Sequence, residues 1–199
     1  MSEPSTGDRG RRAAAAAALV LLAASLVLPL WSTRMEAPQY RGEEQLRVYV
    51  YPDRVVGDLQ ELTTLNQYVG VELRLDGPEL RLAPWAFGLL VAAAAIAAVV
   101  PATRRRLASR IVFALIAATL LGGAGVLQYR LYEMGHDRGH TAFARVEDFT
   151  APILGSKKIA NFTVHTRAET GGWAVLGALA LSGWVAFAAP EPHGSDDSN

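Results

Sequence analysis

The chain has 199 residues, 51% of them apolar, no cysteine and a formal net charge of zero. The lack of cysteine excludes disulfide bonds and thiolate metal sites. Nucleic acid is not an expected partner. Charge is missing from four stretches of about 17 to 19 residues, each long enough to cross the ~30 Å hydrocarbon layer of a membrane as a helix. These stretches are residues 13–31, 83–100, 111–127 and 173–189.

The first stretch follows a tail, residues 1–12, that contains Arg9, Arg11 and Arg12. A charged tail before an apolar run is also typical of a cleaved signal peptide. The run is longer than the apolar part of most signal peptides, and residues 28–31 (LPLW) have no small-x-small cleavage site. We therefore expect the first stretch to be an uncleaved span.

Arginine dominates the short connection 101–110, PATRRRLASR, which has no acidic residue. Because arginine-rich connections face the cytoplasm, we expect this connection, the N-terminal tail and the acidic tail 190–199 to be cytoplasmic. The two long segments, 32–82 and 128–172, would then lie in the periplasm. The predicted location is the cytoplasmic membrane, with lipid around the spans and both termini inside.

The predicted spans contain no Asp, Glu, Lys, Arg or His. Transport coupled to ions or protons needs such groups within the bilayer, and a haem in the membrane needs axial histidines. Neither function is expected here. The outer ends of the spans instead have aromatic residues, which favour the membrane interface: Trp31, Trp85, Tyr129 and Trp173.

Small residues repeat every four positions in two spans, a pattern that allows helix backbones to approach closely in lipid. Two interpretations remain open, which are packing of the four helices against one another and docking of a partner subunit. The repeats are Ala114, Ala118 and Gly122 in the third span and Ala174, Ala178, Ser182 and Ala186 in the fourth.

The first outer segment has the patterns of regular structure. Residues 46–51 alternate like a half-buried strand, and Asp58 with Glu61 three positions later matches the capping box of a helix start. Residues 71–75 alternate again. The predicted fold is therefore four transmembrane α-helices with a small α+β cap formed by the outer loops.

The second outer segment is broken by Gly135, Gly139 and Pro152, so no long regular element is expected in it. Two lysines stand among apolar residues between positions 153 and 162. This composition suggests a short segment in the headgroup layer, with packing beneath the cap as the alternative.

Residues 34–71, which include APQYR and LNQYVGV, resemble the first outer loop of a family of integral membrane accessory proteins encoded in bacterial nitrous oxide reductase gene clusters. In that family APQYP is followed by LNHYIGM. The second outer segment, with YEMGHDRGH, APILGSKKIANF and GGW in order, is similar to the family's YGH and PPLLGxKQxxNF elements. The resemblance covers both loops and the same four spans.

The resemblance implies a non-catalytic protein that supports the maturation or copper-site assembly of periplasmic nitrous oxide reductase, with membrane or periplasmic proteins of that system as partners. The alternative is a scaffold or docking component of the route that supplies electrons to the reductase, without a cofactor of its own. A third interpretation is an unspecialised structural membrane protein. The sequence has no catalytic constellation, so we do not expect an enzyme.

The matched motifs also imply structural or partner-docking roles in both loops. Where LNHYIGM has His and Met, this chain has Gln67 and Val71. If the family uses that His and Met as metal ligands, this chain lacks them. The residues with implied docking roles are Asn66, Gln67, Tyr68, Gly70 and Asn161.

The stretch 132–140, YEMGHDRGH, has the residue types of a Cu(I) site without cysteine, since thioether and imidazole suit this soft ion. Met134, His136 and His140 would supply three ligands, and Met35, just beyond the first span, a fourth. The glycines in this stretch argue against a helix that would bring the two histidines together. We therefore expect histidines that hydrogen-bond to the backbone and no bound cofactor, with Cu(I) as the alternative.

Overall fold

The computed structural model describes residues 6–36, 46–61, 78–136, 149–159 and 162–188. Within these ranges, one helix comes first, three strands follow it, then two helices, two strands and a last helix. In order they are α1 (Thr6–Ser25), β1 (Trp31–Glu36), β2 (Leu46–Val50), β3 (Val55–Gly57), α2 (Pro78–Val99), α3 (Ala102–His136), β4 (Gly155–Ile159), β5 (Phe162–Ala168) and α4 (Thr170–Phe187).

The four helices form a bundle in which each packs against its two neighbours in the cyclic order α1, α2, α3, α4. At one end, which we call the arginine end, Arg105 at the start of α3 binds Asp8 at the start of α1. Arg106 donates to the carbonyl of Ala188, just after α4. At the opposite end, the sheet end, Glu79 in α2 binds Arg130 in α3. The helices therefore alternate in direction around the bundle.

The interior of the bundle combines alanines with Leu, Ile and Val, and many large apolar side chains are exposed on its outside. This distribution is unlike that of a soluble protein and is typical of a bundle whose sides face lipid. Buried positions include Ala18, Leu22, Leu90, Ala94, Ala97, Ile116, Val175 and Ala178. Exposed positions include Val20, Leu89, Ile96, Ile111, Leu121, Trp173 and Phe187.

Among the described residues, three helices are long and apolar enough to cross a membrane, over Arg81–Val99, Ala102–Glu133 and Thr170–Phe187. Helix α1 packs in the same bundle, but four charged residues occupy its first two turns. They leave residues 13–25 uncharged, about 20 Å of helix. The fourth span therefore stays a prediction.

The first helix also ends earlier than the predicted boundary at residue 31. It ends at Ser25, and Trp31 is the first residue of β1. The amide of Leu28 still donates to the carbonyl four positions earlier. Pro29 prevents the helix from continuing, because it has no amide hydrogen to donate to the carbonyl of Ser25. The indole Nε1 of Trp31 donates to the carbonyl of Ile153, at 2.6 Å. Trp31 therefore joins the two outer segments.

The other tryptophans divide between the two ends of the bundle. Trp85 and Trp173 are exposed and stand towards the sheet end, as expected for interfacial residues. Trp184 is half-exposed and lies near Gly10 of α1, close to the arginine end. The tryptophan distribution is therefore not confined to one side.

Helix α3 is much longer than its predicted span. It has 35 residues, which corresponds to about 52 Å. The segment 101–110, expected as a turn, is helical from Ala102, and the carbonyl of Pro101 accepts from the amides of Arg104 and Arg105. Proline is well suited to a helix start because its missing amide is not needed there, and the residues that follow are mostly good helix formers.

The strands form one antiparallel sheet in the order β3-β2-β1-β5-β4. The central pair joins the two outer segments, with Trp31 opposite Ala168 and Met35 opposite Val164. The sheet part of the predicted cap is thus present, and β2 coincides with the predicted strand 46–51. Sequence reasoning missed β1, β3, β4 and β5.

The helical part of the predicted cap is only partly described. Residues 59–61 are helical, directly after Asp58. The carboxylate of Asp58 accepts a hydrogen bond from the amide of Arg47 at 2.9 Å, which anchors this turn to β2. The remainder of the predicted helix and the predicted strand 71–75 lie outside the described residues.

The last turns of α3 support the sheet. Leu127 and Leu131 pack with Met35, Val164 and Phe149 in a small apolar cluster beneath one sheet face. Alternation explains this face, because every second residue of β1 and β5 points towards the helix. The additional length of α3 beyond the bundle therefore gives the sheet a hydrophobic base.

Candidate functional site

Of the residues predicted to bind a metal, Met35 lies in the apolar cluster beneath the sheet, between α3 and β5. Met134 is in the last turn of α3, and its side chain lies outside the described part of the chain, as does the whole of His140. The described residues contain no group of three or more His, Asp or Glu side chains that could hold a metal ion. The Cu(I) site therefore stays a prediction.

His136 is the last residue of α3 and is exposed. Its Nδ1 donates to the carbonyl of Tyr132 at 2.9 Å, and its ring stacks on the Tyr132 ring with centroids 3.9 Å apart. The stretch up to His136 is helical despite Gly135. The glycine is required there because a Cβ atom would overlap the carbonyl of Phe149. The joint between α3 and the second loop is thus made by Gly135.

Five residues are predicted to have structural or partner-docking roles. They fall within 62–77 and 160–161, which lie outside the described residues. These residues are Asn66, Gln67, Tyr68, Gly70 and Asn161.

The strongest candidate surface in the described structure is the sheet face turned away from α3, which we call the polar face. Side chains directly opposite each other in a sheet share a face, and the strand register therefore defines its members. They are Ser32, Arg34 and Glu36 of β1, Arg47 and Tyr49 of β2, Val56 of β3, Ser156 and Lys158 of β4, and Thr163, His165 and Arg167 of β5.

A row of basic residues crosses the polar face. Arg34 lies opposite Arg47 on one side and opposite His165 on the other. Like charges directly opposite each other destabilise a sheet. Glu36 offsets the charge of Arg34 only loosely, since its Oε1 lies 3.6 Å from Arg34 Nη2. No described residue forms an ion pair with Arg47. We call Arg34, Arg47 and His165, together with Lys158 one row farther out, the basic row.

His165 also contacts two polar neighbours. Its Nδ1 lies 2.6 Å from Ser156 Oγ, and its Nε2 lies 3.8 Å from a carboxylate oxygen of Glu36. Serine, histidine and glutamate are the residue types of hydrolytic triads. The Glu36 distance exceeds a hydrogen bond, and the three side chains lie on an open sheet face. We interpret the group as cross-strand packing and not as a catalytic centre.

The end of the polar face nearest the bundle is neutralised internally. Glu169, between β5 and α4, accepts hydrogen bonds from Ser32 Oγ and Arg167 Nε, each at 2.7 Å, through one carboxylate oxygen. Burial raises the pKa of Glu169, but these two hydrogen bonds and the Arg167 charge outweigh it, so the pKa lies below its usual value. The Glu169 amide donates to Leu30. Glu169 therefore fastens the sheet to the bundle.

Sequence reasoning missed the polar face because it did not identify β5. The pattern FTVHTRA over residues 162–168 does contain the signal. Phe, Val and Ala alternate with Thr, His and Arg, as in a strand with one buried face. The sequence did not predict that Arg34 pairs with Arg47, because this pairing depends on the register of β1 with β2.

No protein-family model matches the chain, and neither the curated proteins nor the solved structures contain a match to it. The resemblance to the nitrous oxide reductase accessory family therefore stays a prediction. The geometry of the outer sheet is the basis of the proposals below.

Proposed function

We propose that this chain is a four-span protein of the cytoplasmic membrane and a non-catalytic accessory protein of periplasmic nitrous oxide reductase, supporting maturation of the enzyme or assembly of its copper sites. The observation that carries the proposal is the sheet itself. Both outer segments contribute strands to it, and α3 and Glu169 fasten it to the bundle. Such a platform suits the presentation of a defined surface to a partner protein.

The distribution of arginine supports the proposed orientation. The tail arginines of α1 and those at the start of α3 lie at the same end of the bundle, because Asp8 binds Arg105 there. Arg110 also stands at this end, over the ring of Phe187. Arginine-rich ends favour the cytoplasmic side, which supports the proposal that the termini are inside and the sheet is in the periplasm. Helix α1 completes the four spans in this arrangement.

The alternative function is a scaffold in the electron-supply route to the same reductase. The same surface supports it, because a platform that binds a maturation factor would equally bind an electron-transfer protein. The two functions differ in the defect that the reductase would show without this protein. A maturation factor determines the copper content of the enzyme, whereas an electron-supply component determines its reduction in the cell.

Deletion of the gene in its native host tests both functions. The reductase is then purified, and its copper content and its activity with an artificial electron donor are measured. Copper-free, inactive enzyme supports maturation, and copper-loaded enzyme that is active in vitro but idle in cells supports electron supply. Normal nitrous oxide reduction in the deletion strain contradicts both.

Complementation sharpens this test. Glu169→Lys removes the fastening of the sheet and places a cation beside Arg167, so we expect it to fail to restore function. Asp53→Lys is the matched control, because Asp53 is an exposed acid in the turn between β2 and β3 and pairs with Arg54 only at the surface. Equal complementation by both variants would contradict a role for the fastened sheet.

A further inference from the structure

The basic row is not explained by the stability of the fold. Arg34 and Arg47 lie directly opposite each other on adjacent strands, where like charges weaken strand pairing, and His165 lies opposite Arg34 on its other side. Lys158, on the edge strand, adds a cation one row farther out, and no described residue forms an ion pair with it. Apart from Arg167, which Glu169 neutralises, the polar face thus has three cationic side chains, Arg34, Arg47 and Lys158, against the carboxylate of Glu36.

The position of the charges distinguishes a protein partner from the membrane. Headgroup attraction falls off within a Debye length of the surface, so a lipid-binding face would have its free cations closest to the bundle. Here the cation closest to the bundle, Arg167, is neutralised by Glu169. Arg34 lies two residues beyond Ser32, about 7 Å farther along the strand, and Lys158 lies farther still. Arg34, which is only loosely paired, and Lys158, which has no ion-pair partner among the described residues, therefore stand away from the bundle.

We infer that the basic row is the docking surface for an acidic surface of a periplasmic partner protein. This inference rests on the proposed function, because it specifies the chemistry of the partner protein that the sheet would bind. Carboxylates of the partner would relieve the repulsion between Arg34 and Arg47. Arginine suits this role because its planar guanidinium binds carboxylates through two hydrogen bonds.

The binding test uses the full chain in nanodiscs of neutral lipid. The probes are a short poly-glutamate peptide and a poly-glutamine peptide of the same length. We expect binding of the poly-glutamate peptide only, weakening as salt is added because exposed charges are screened. Absence of poly-glutamate binding, or equal binding of both peptides, would overturn the inference.

Two neighbouring lysines provide a matched pair of variants. Lys158 is on the polar face, whereas Lys157 points to the opposite face and donates to the carbonyl of Thr150. We expect Lys158→Glu to weaken peptide binding roughly three- to tenfold and Lys157→Glu to weaken it less than about twofold. Equal losses would show an effect of net charge alone and would overturn the inference.

A second pair guards against misfolding of the lysine variants. Arg47→Gln removes a charge from the basic row, and Arg54→Gln removes one from the turn between β2 and β3, where Arg54 pairs with Asp53. We expect only Arg47→Gln to weaken binding. Vesicles of phosphatidylglycerol serve as the competing ligand. Binding to these vesicles with the same residue dependence, but not to the peptide, would overturn the inference in favour of lipid.

The outcome is separable from that of the proposed function. The reductase of the deletion strain could have normal copper content and activity while the purified chain binds the peptide in a charge-dependent way. This result would refute the proposed function and would support the docking surface. The reductase of that strain could lack copper while peptide binding is unchanged by substitution of Lys158 and Arg47. This result would refute the docking surface and would support the proposed function.

Discussion

Glu79 and Arg130 form a two-point hydrogen bond that closes the sheet end of the α2–α3 hairpin. Arg130 Nε donates to Glu79 Oε1 at 2.8 Å and Nη2 to Oε2 at 3.2 Å. Glu133 accepts from the third guanidinium nitrogen at 3.0 Å. The connection at the other end of this hairpin is only two residues long. The pair therefore holds the two helices together where the chain does not.

This pair predicts a pH dependence of stability. The Arg130 hydrogen bond lowers the pKa of Glu79 in the folded protein. Its contribution to the free energy of unfolding is therefore complete above the ordinary carboxylate pKa and is lost as pH falls through the lowered value. We expect Glu79→Gln to lower Tm at neutral pH, with the difference from the parent protein vanishing in acid. Thermal unfolding of Glu79→Gln and of the control Arg81→Gln in detergent checks this, and a difference that persists in acid contradicts it.

The ion pair at the arginine end predicts a large loss of stability. The side chain of Arg105 is 2% exposed and that of Asp8 is 20% exposed. Removing one partner of a buried pair leaves an uncompensated charge, so we expect Asp8→Ala to cost about 3–5 kcal/mol. Asp53→Ala removes an exposed partner of Arg54 and should cost less than about 1 kcal/mol. Denaturant unfolding of the purified variants measures both, and similar losses would refute the burial argument.

Two glycines of α3 predict opposite effects of the same substitution. Gly135→Ala places a Cβ atom on the carbonyl of Phe149, whereas Gly125→Ala places it in open space. We expect Gly135→Ala to detach the second loop from α3 and to increase its cleavage by protease. Gly125→Ala should stabilise the helix by up to about 1 kcal/mol, because alanine is the better helix former. Protease sensitivity and Tm distinguish the two, and equal behaviour would argue against the joint at Gly135.

The proposed topology predicts the activity of reporter fusions. Alkaline phosphatase is active only outside the cytoplasm, so fusions after Gly77 and after His140 should be active. A fusion after Arg106 should be silent, because this residue is at the arginine end. The reverse pattern would place the sheet in the cytoplasm and would remove the basis for a periplasmic partner.

The histidines of the second loop predict weak copper binding. His136 already donates its Nδ1 to Tyr132, and Met35 lies among apolar side chains. Ordering of loop ligands opposes binding, because it reduces the conformational entropy of the chain. Titration of Cu(I) against a competing chelator is expected to show weak or no binding. Tight stoichiometric binding that is lost on replacing His136 and His140 with alanine would establish a copper site instead.

One strand of the sheet was predictable from the sequence, whereas the pairing of the strands was not. The strand over 46–51 was predicted because alternation of apolar and polar residues is a local signal. The pairing of β1 with β5 joins residues more than a hundred positions apart, such as Trp31 and Ala168. No local pattern specifies such a partner. The polar face and its basic row were therefore invisible before the register was known.

The sequence by itself indicated where the apolar helices lie and where arginine clusters, because hydrophobicity and charge act through composition over a single stretch of chain. Only the tertiary structure decided that α3 runs on beyond the bundle, that Met35 faces Leu131 and that Arg34 opposes Arg47. These features depend on which surfaces meet. A one-residue shift in the pairing of β1 would exchange its buried and exposed faces, and the apolar base formed by α3 favours the observed register.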